Sequence, residues 1–205
     1  MSSSSSSTYK LSYFNGRGLA ECSRYLFALA GVNYEDYRFP DNEERKTFLA
    51  TKDKLTFGKV PELEVDGKKL PQSRAIERFL AKRFGFMGSN EVETAWIDAF
   101  GEELKDCIMP YFPIRADKEK KEEYFKGHFL NHMKLIEKNA DSNGYLVGNS
   151  ITLADLQLYT MLNAVDQDGI KATLEQCPKI AKSFENVGNN DKIKAWIAKR
   201  PQTAF

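Results

Sequence analysis

From Tyr9 to Tyr13 the chain alternates, with Tyr9, Leu11 and Tyr13 on one side and Lys10 and Ser12 on the other. A period of two predicts a short strand with one buried face. The alternation breaks at Asn15-Gly16, after which Leu19, Cys22, Leu26 and Leu29 recur at helical spacing as far as Gly31, a good C-terminal stop. A second strand is expected over Tyr34 to Phe39. The charged stretch from Asp41 to Lys54 reads as a weaker helix, with Phe48 and Leu49 as its main apolar residues. KVPELEV and KKL then alternate on either side of Asp66-Gly67, a two-residue turn that favours an antiparallel hairpin. Pro61 heads the first of these strands, where a missing N–H is tolerated. Ser73 opens a further helix with Ile76, Phe79, Leu80 and Phe84 on one face, and residues 85–90 read as a linker.

Beyond residue 90 the period of two disappears. Helical patterns run over about Glu91 to Tyr111, Lys118 to Asn139, Thr152 to Asp166, Pro178 to Val187 and Lys192 to Lys199. At Thr152 to Asp155 the spacing fits a capping box, with Ile151 and Leu156 as an apolar staple. The helix it starts is apolar on most sides, which predicts the buried centre of an all-helical domain. The expected organisation is a serine-rich disordered lead over residues 1–8, a βαβαββα domain over 9–86 and an all-α domain over 87–205.

Composition narrows the class without changing this layout. The chain has 205 residues, 41% of them apolar, enough for ordinary buried cores. Its formal charge is +1, and basic residues occur singly or in pairs, so no footprint for nucleic acid is present. No apolar run reaches the roughly 18 residues of a membrane span, and serines stand where a signal peptide needs an apolar core. Three widely spaced cysteines, Cys22, Cys107 and Cys177, argue for reduced thiols, and the expected location is cytoplasmic.

A βαβαββα unit with proline at the head of its third strand resembles the thioredoxin fold. Four ordered motifs carry the resemblance further: YFNGRGLAE, FGKVPELEVDG followed by QSRAIERFLA, LVGNSITLADL, and IKAWIAKRPQTAF. Together they are similar to the cytosolic glutathione transferases of the sigma class, over nearly the whole chain from Tyr9 to Phe205.

The resemblance implies a tyrosine at the end of the first strand, here Tyr13, whose hydroxyl hydrogen-bonds the sulfur of glutathione. A phenol with a reference pKa near 10 stays protonated at neutral pH, so it donates, and it favours thiolate over thiol. By the same resemblance, Val60 offers its backbone to the cysteinyl part of the tripeptide. Gln72 and Ser73, where a helix begins, receive the γ-glutamyl carboxylate. Lys52 and Lys59 lie near the glycine end. Asp106 reaches the glutathione of a partner subunit, which implies a homodimer. Phe14, Leu19, Ile108 and Tyr111, with Phe205, would line the pocket for a hydrophobic electrophile. No cofactor beyond the cosubstrate glutathione and no metal is implied.

Two positions depart from the pattern. Phe48 stands where the sigma pattern has a tryptophan that donates an indole hydrogen bond to glutathione, and phenylalanine has no donor. Leu19 occupies a position where some members carry an arginine. Weaker glutathione binding and smaller thiolate stabilisation are the expected results.

The expected activity is conjugation of glutathione to hydrophobic electrophiles, a detoxifying reaction. Glutathione-dependent prostaglandin isomerisation and a weakly active, crystallin-like structural role are the alternatives within the resemblance. His128 and His132 share a helix face four residues apart. HFLNH lacks the catalytic glutamate of zinc proteases and a third ligand, so surface histidines are expected. Cys22 lies in no C-x-x-C and reads as core.

Overall fold

The computed structural model describes residues 7–40 and 44–203, so the serine-rich lead before Ser7, the expected helix start at Asp41, and Phe205 lie outside the described residues. The chain divides into two compact units. The first holds the described residues up to Leu80 together with those from Lys199 onward, and the second is Ala81–Ala198.

In the first unit, β1 (Tyr9–Tyr13), α1 (Glu21–Ala30), β2 (Glu35–Arg38), α2 (Glu44–Thr51), β3 (Glu62–Val65), β4 (Lys68–Pro71) and the first eight residues of α3 (Ser73–Phe84) follow in the expected order. The four-stranded sheet has the order β2-β1-β3-β4. β2 lies parallel to β1, as a helical crossover requires, whereas β3 runs antiparallel to both β1 and β4. The register sets Leu11 opposite Leu63, and both are fully buried. Phe27 of α1 meets the Tyr9 ring edge-on at 5.4 Å, so the apolar stripe of the helix covers the inward face of β1. Gly31 ends α1 in the left-handed region at φ 67°. The Asp66-Gly67 turn has positive φ at both residues, as a type I′ turn demands.

The second unit is all helical: α4 (Glu91–Ile108), α5 (Tyr111–Ile114), α6 (Lys118–Tyr124), α7 (Leu130–Asn139), α8 (Leu153–Leu162), α9 (Gln167–Gln176), α10 (Pro178–Asn189) and α11 (Asp191–Lys199). α8 packs against α4 and α10, and all but one of its ten residues are buried, so it is the centre that its unbroken apolarity predicted. The capping box is present. Asp155 accepts from the Thr152 N–H at 2.9 Å and its hydroxyl at 2.8 Å, and also from the Leu146 N–H at 2.8 Å and the Ser183 hydroxyl at 2.6 Å. Burial pushes this carboxyl above the usual range, against the pull of those four donors.

Three helix boundaries differ from the expectation. The Glu91 to Tyr111 pattern stops at Ile108, because Pro110 cannot continue the ladder. The Lys118 to Asn139 pattern is interrupted by a wide π turn over Phe125–Phe129. α9 was not foreseen. Asp166, expected at the end of the preceding helix, instead starts the next by accepting from the Asp168 N–H.

Candidate functional site

Tyr13 ends β1 with only 7% of its surface exposed. The chain then turns sharply, the Gly16 N–H bonding the Phe14 carbonyl at 2.8 Å, and enters a short 3-10 turn, Gly18–Ala20, that runs directly into α1. That geometry brings the Leu19 N–H to 3.1 Å from the Tyr13 hydroxyl oxygen. A hydroxyl that accepts one bond still carries its own donor proton, and accepting makes it a stronger donor. Gly18 is required for the approach. Its φ is +36°, and a Cβ there would lie 2.5 Å from the Tyr13 oxygen.

Beneath the turn lies a buried ionic network that the sequence reading did not foresee. The Arg24 side chain is fully buried and donates to the Gly16 carbonyl at 2.6 Å, the Arg17 carbonyl at 3.4 Å, Glu21 at 3.1 Å and Asp36 at 3.1 Å. Asp36 also holds Arg38 at 2.9 Å, and Arg38 reaches the Asn15 side chain at 3.3 Å. The available signal was a Glu-x-x-Arg pair inside the apolar pattern of α1, since a charge within a buried stripe needs partners.

Phe48 stands within an aromatic cluster beside Tyr13. Its ring lies 5.1 Å from Phe14 and 5.8 Å from Phe39, and Phe14 in turn lies 5.6 Å from Tyr13. Phe14 is half-buried, whereas Leu19 is 55% exposed at the lip of the turn. Lys52 and Lys59 are exposed, and the Lys52 stem covers Gly58, its Cε being 3.1 Å from where a Cβ would stand. Val60 is half-buried and precedes Pro61 through a cis bond. Buried Glu62 pins the loop before it by accepting from the Thr56 N–H at 2.7 Å. Gln72 is exposed with φ 76°, and its carbonyl accepts from the Ile76 N–H at 3.0 Å. The first turn of α3, beginning at Ser73, therefore starts at a sharp reversal, with backbone N–H groups that helix geometry leaves unbonded.

The remaining candidates lie in the helical unit. Asp106 is exposed on α4, and Ile108 is half-buried at the end of that helix. Tyr111 is buried, its ring 5.6 Å from Tyr124 and 5.8 Å from Phe125. His132 meets Glu103 at 2.6 Å and His128 lies 3.4 Å from the Asp106 carbonyl, so the two imidazoles face different acceptors. Among the described residues no group of three histidine, cysteine or acidic side chains is arranged to hold a metal. A cavity among Val92, Trp96, Phe100 and Leu146 includes Glu93 and Asp141, but both carboxylates are occupied by backbone N–H groups of Ser89 and Gly148. All three cysteines are buried and outside any disulfide, so Cys22 is core as expected, and burial pushes the Cys107 thiol up to about 12.

Comparison with known proteins bears on the whole arrangement. Residues 9–82 match the glutathione S-transferase N-terminal domain, and residues 105–200 match the C-terminal domain of the same family. Glutathione S-transferase 3 of Caenorhabditis elegans is 40% identical, the alignment covering 96% of this chain and 99% of that protein. Hematopoietic prostaglandin D synthase of Gallus gallus is 38% identical over 96% of this chain and 98% of its own. S-crystallin SL11 of Nototodarus sloanii is 35% identical over 97% and 99%. Among solved structures, a nu-class transferase from Haemonchus contortus superposes with a TM-score of 0.85 at 36% identity, covering 98% of this chain and all of that one. A transferase from Necator americanus described as monomeric gives 0.81 at 38% identity, covering 97% of this chain and all of that one. Both units are thus accounted for along their length, and the chain belongs to the glutathione S-transferase family.

Proposed function

We propose that this chain is a sigma-class-like glutathione transferase in which the Tyr13 hydroxyl holds the glutathione sulfur as a thiolate. The observation that carries the reading is the Leu19 N–H seated 3.1 Å from that hydroxyl. A free thiol has a pKa of about 8.5 and is only a few per cent ionised at neutral pH. Lowering it by about two units takes roughly 2.7 kcal/mol of preference for the thiolate. One neutral hydrogen bond nets only about 0.5–1.5 kcal/mol. The polarising N–H and the positive end of the helix that follows Gly18 supply further stabilisation in the same direction.

Glutathione lies extended along the backbone at Val60, with its γ-glutamyl carboxylate at the start of α3 near Gln72 and Ser73. Lys52 and Lys59 stand toward the glycine carboxylate. The thiol proton leaves to solvent as the thiolate forms. The sulfur lone pair then makes the new S–C bond while a leaving group such as halide departs with its bonding pair. Phe14 and Leu19 give the approaching electrophile an apolar surface.

The protein acts as a homodimer in which Asp106 contacts glutathione held by the other copy, and a solution mass near 23.4 kDa would refute this. A cytoplasmic location is supported by three cysteines that form no disulfide. Among the described residues no helix is long and apolar enough to cross a membrane.

The test is conjugation of a generic aryl halide by wild type and Tyr13→Phe. A loss of about tenfold or more is expected from removing one charge-assisted hydrogen bond. Equal rates would remove Tyr13 from the mechanism. The similarity to a prostaglandin D synthase supports a second reading, rearrangement of a prostaglandin endoperoxide with glutathione regenerated. A product assay separates the two.

A further inference from the structure

Arg200 lies 179 residues from Glu21 in sequence, yet its guanidinium donates to the Glu21 carboxylate at 2.7 Å and to the Tyr25 hydroxyl at 3.1 Å. Both partners belong to the same compact unit as Arg200. The other oxygen of Glu21 accepts from Arg24 at 3.1 Å, and the same Arg24 nitrogen holds the Gly16 carbonyl at 2.6 Å. Gly16 and Arg17 lead directly into Gly18 and Leu19, whose N–H bonds the Tyr13 hydroxyl. A path of hydrogen bonds, completed by the backbone from Gly16 to Leu19, therefore runs from Arg200, just after α11, to the hydroxyl proposed to donate to the glutathione sulfur.

We propose that Arg200 is a positioning residue for Tyr13, acting through Glu21 and Arg24 to hold the Asn15–Gly18 turn at the height where the Leu19 N–H meets the phenol. This rests on the reading of Tyr13 as the donor to sulfur.

Burial makes the path effective. The side chains of Arg24, Glu21 and Arg200 are exposed by only 0%, 3% and 16%, so solvent does not compete for their hydrogen bonds. Arg24 has one acidic partner on each side, Glu21 from α1 and Asp36 from β2. Asp36 anchors the guanidinium to the sheet, and Glu21 turns it toward the loop carbonyls. Arg200 in turn fixes Glu21 by holding its second carboxylate oxygen at 2.7 Å. A turn carrying two glycines and an asparagine in four residues has few side-chain atoms to pack, so the hydrogen bonds to its carbonyls, together with the Arg38 bond to the Asn15 side chain, hold its position.

Arg200→Met keeps the apolar stem and removes the guanidinium. Expected results are a fall in kcat of about tenfold, glutathione KM within about twofold, and a rise of about one unit in the pH at which kcat/KM climbs, since a small misplacement costs at least this much. In the Tyr13→Phe background the same substitution should change kcat and the pH profile by less than about twofold, because residues acting as one unit are not additive. Arg200→Lys, which keeps a positive charge and N–H donors for Glu21, should recover most of the loss. If Arg200→Met is too unstable to assay, the comparison of Arg200→Lys and Glu21→Gln with wild type carries the same test. Variants with a lowered melting temperature but an unchanged pH profile and kcat would overturn the proposal and leave Arg200 merely structural. Failure of Tyr13→Phe to reduce activity would instead overturn the thiolate reading, a distinct outcome.

Discussion

The Tyr13 hydroxyl rests directly against Gly18: a Cβ at that glycine would stand 2.5 Å from the phenol oxygen and 3.0 Å from its ring. The distance is too short for any side chain. The phenol, the glycine and the Leu19 N–H therefore form one unit of geometry, in which the strand end and the helix start are fitted to each other.

Gly18→Ala should therefore displace the phenol as well as strain the backbone, since φ there is +36°. Expected outcomes are a loss of about 1–2 kcal/mol in stability and a fall in kcat/KM approaching that of Tyr13→Phe, with little further fall when the two substitutions are combined. Urea unfolding and conjugation kinetics on one preparation check both. A variant as active as wild type would show that the close approach does not matter.

Phe48 contributes a ring to the Phe14 and Phe39 cluster but no hydrogen-bond donor. Phe48→Trp adds an indole N–H at a half-buried position. A neutral hydrogen bond of about 1 kcal/mol predicts glutathione binding tighter by about fivefold. Calorimetric titration with glutathione measures it, and an unchanged Kd in a normally folded variant would separate Phe48 from the tripeptide.

Asp155 collects four hydrogen bonds while fully buried at the start of α8. Removing it in Asp155→Ala leaves two backbone N–H groups and two hydroxyls without their acceptor at the centre of the helical unit. A destabilisation of about 3 kcal/mol or more is expected. A shift in the urea midpoint equivalent to less than about 1 kcal/mol would mean that water or relaxation replaces the carboxylate.

Lys121 and Asp166 join α6 to the cap of α9 at 2.8 Å. The hydrogen bond from Lys121 holds the Asp166 carboxyl below the usual range, and the same contact holds the ammonium above its own. The folded state thus favours the ionised carboxylate, so its contribution is present above the unfolded value near 4 and is lost as pH falls through the folded one. The ammonium contribution is present at neutral pH and lost only as pH rises through the folded value. Lys121→Met, which leaves the cap intact, should be less stable than wild type at pH 7. The difference should vanish in acid once Asp166 is protonated. A difference that persists unchanged at low pH would assign the effect to packing of the lysine stem.

Much of this protein was legible in short stretches of its sequence. The period of two over β1, the Asp66-Gly67 turn, the Gly31 stop and the Thr152 to Asp155 box each depend on neighbours within a few residues, and each appears where it was expected. Boundaries failed where one polar residue had two local uses. Asp166 could end one helix or cap the next, and the choice fell to the cap because its carboxylate meets both the Asp168 N–H and Lys121, 45 residues away.

The βαβαββα order of the first unit, and the position of a tyrosine at the end of its first strand, were determined by sequence alone, because periodicity and turn chemistry act locally. Only the tertiary structure decided what surrounds that tyrosine. The Leu19 N–H on its hydroxyl, the carbonyls held by Arg24, and the reach of Arg200 to Glu21 are contacts made through space. A linear pattern gives each of those charges no partner until folding removes water and brings the partners into line.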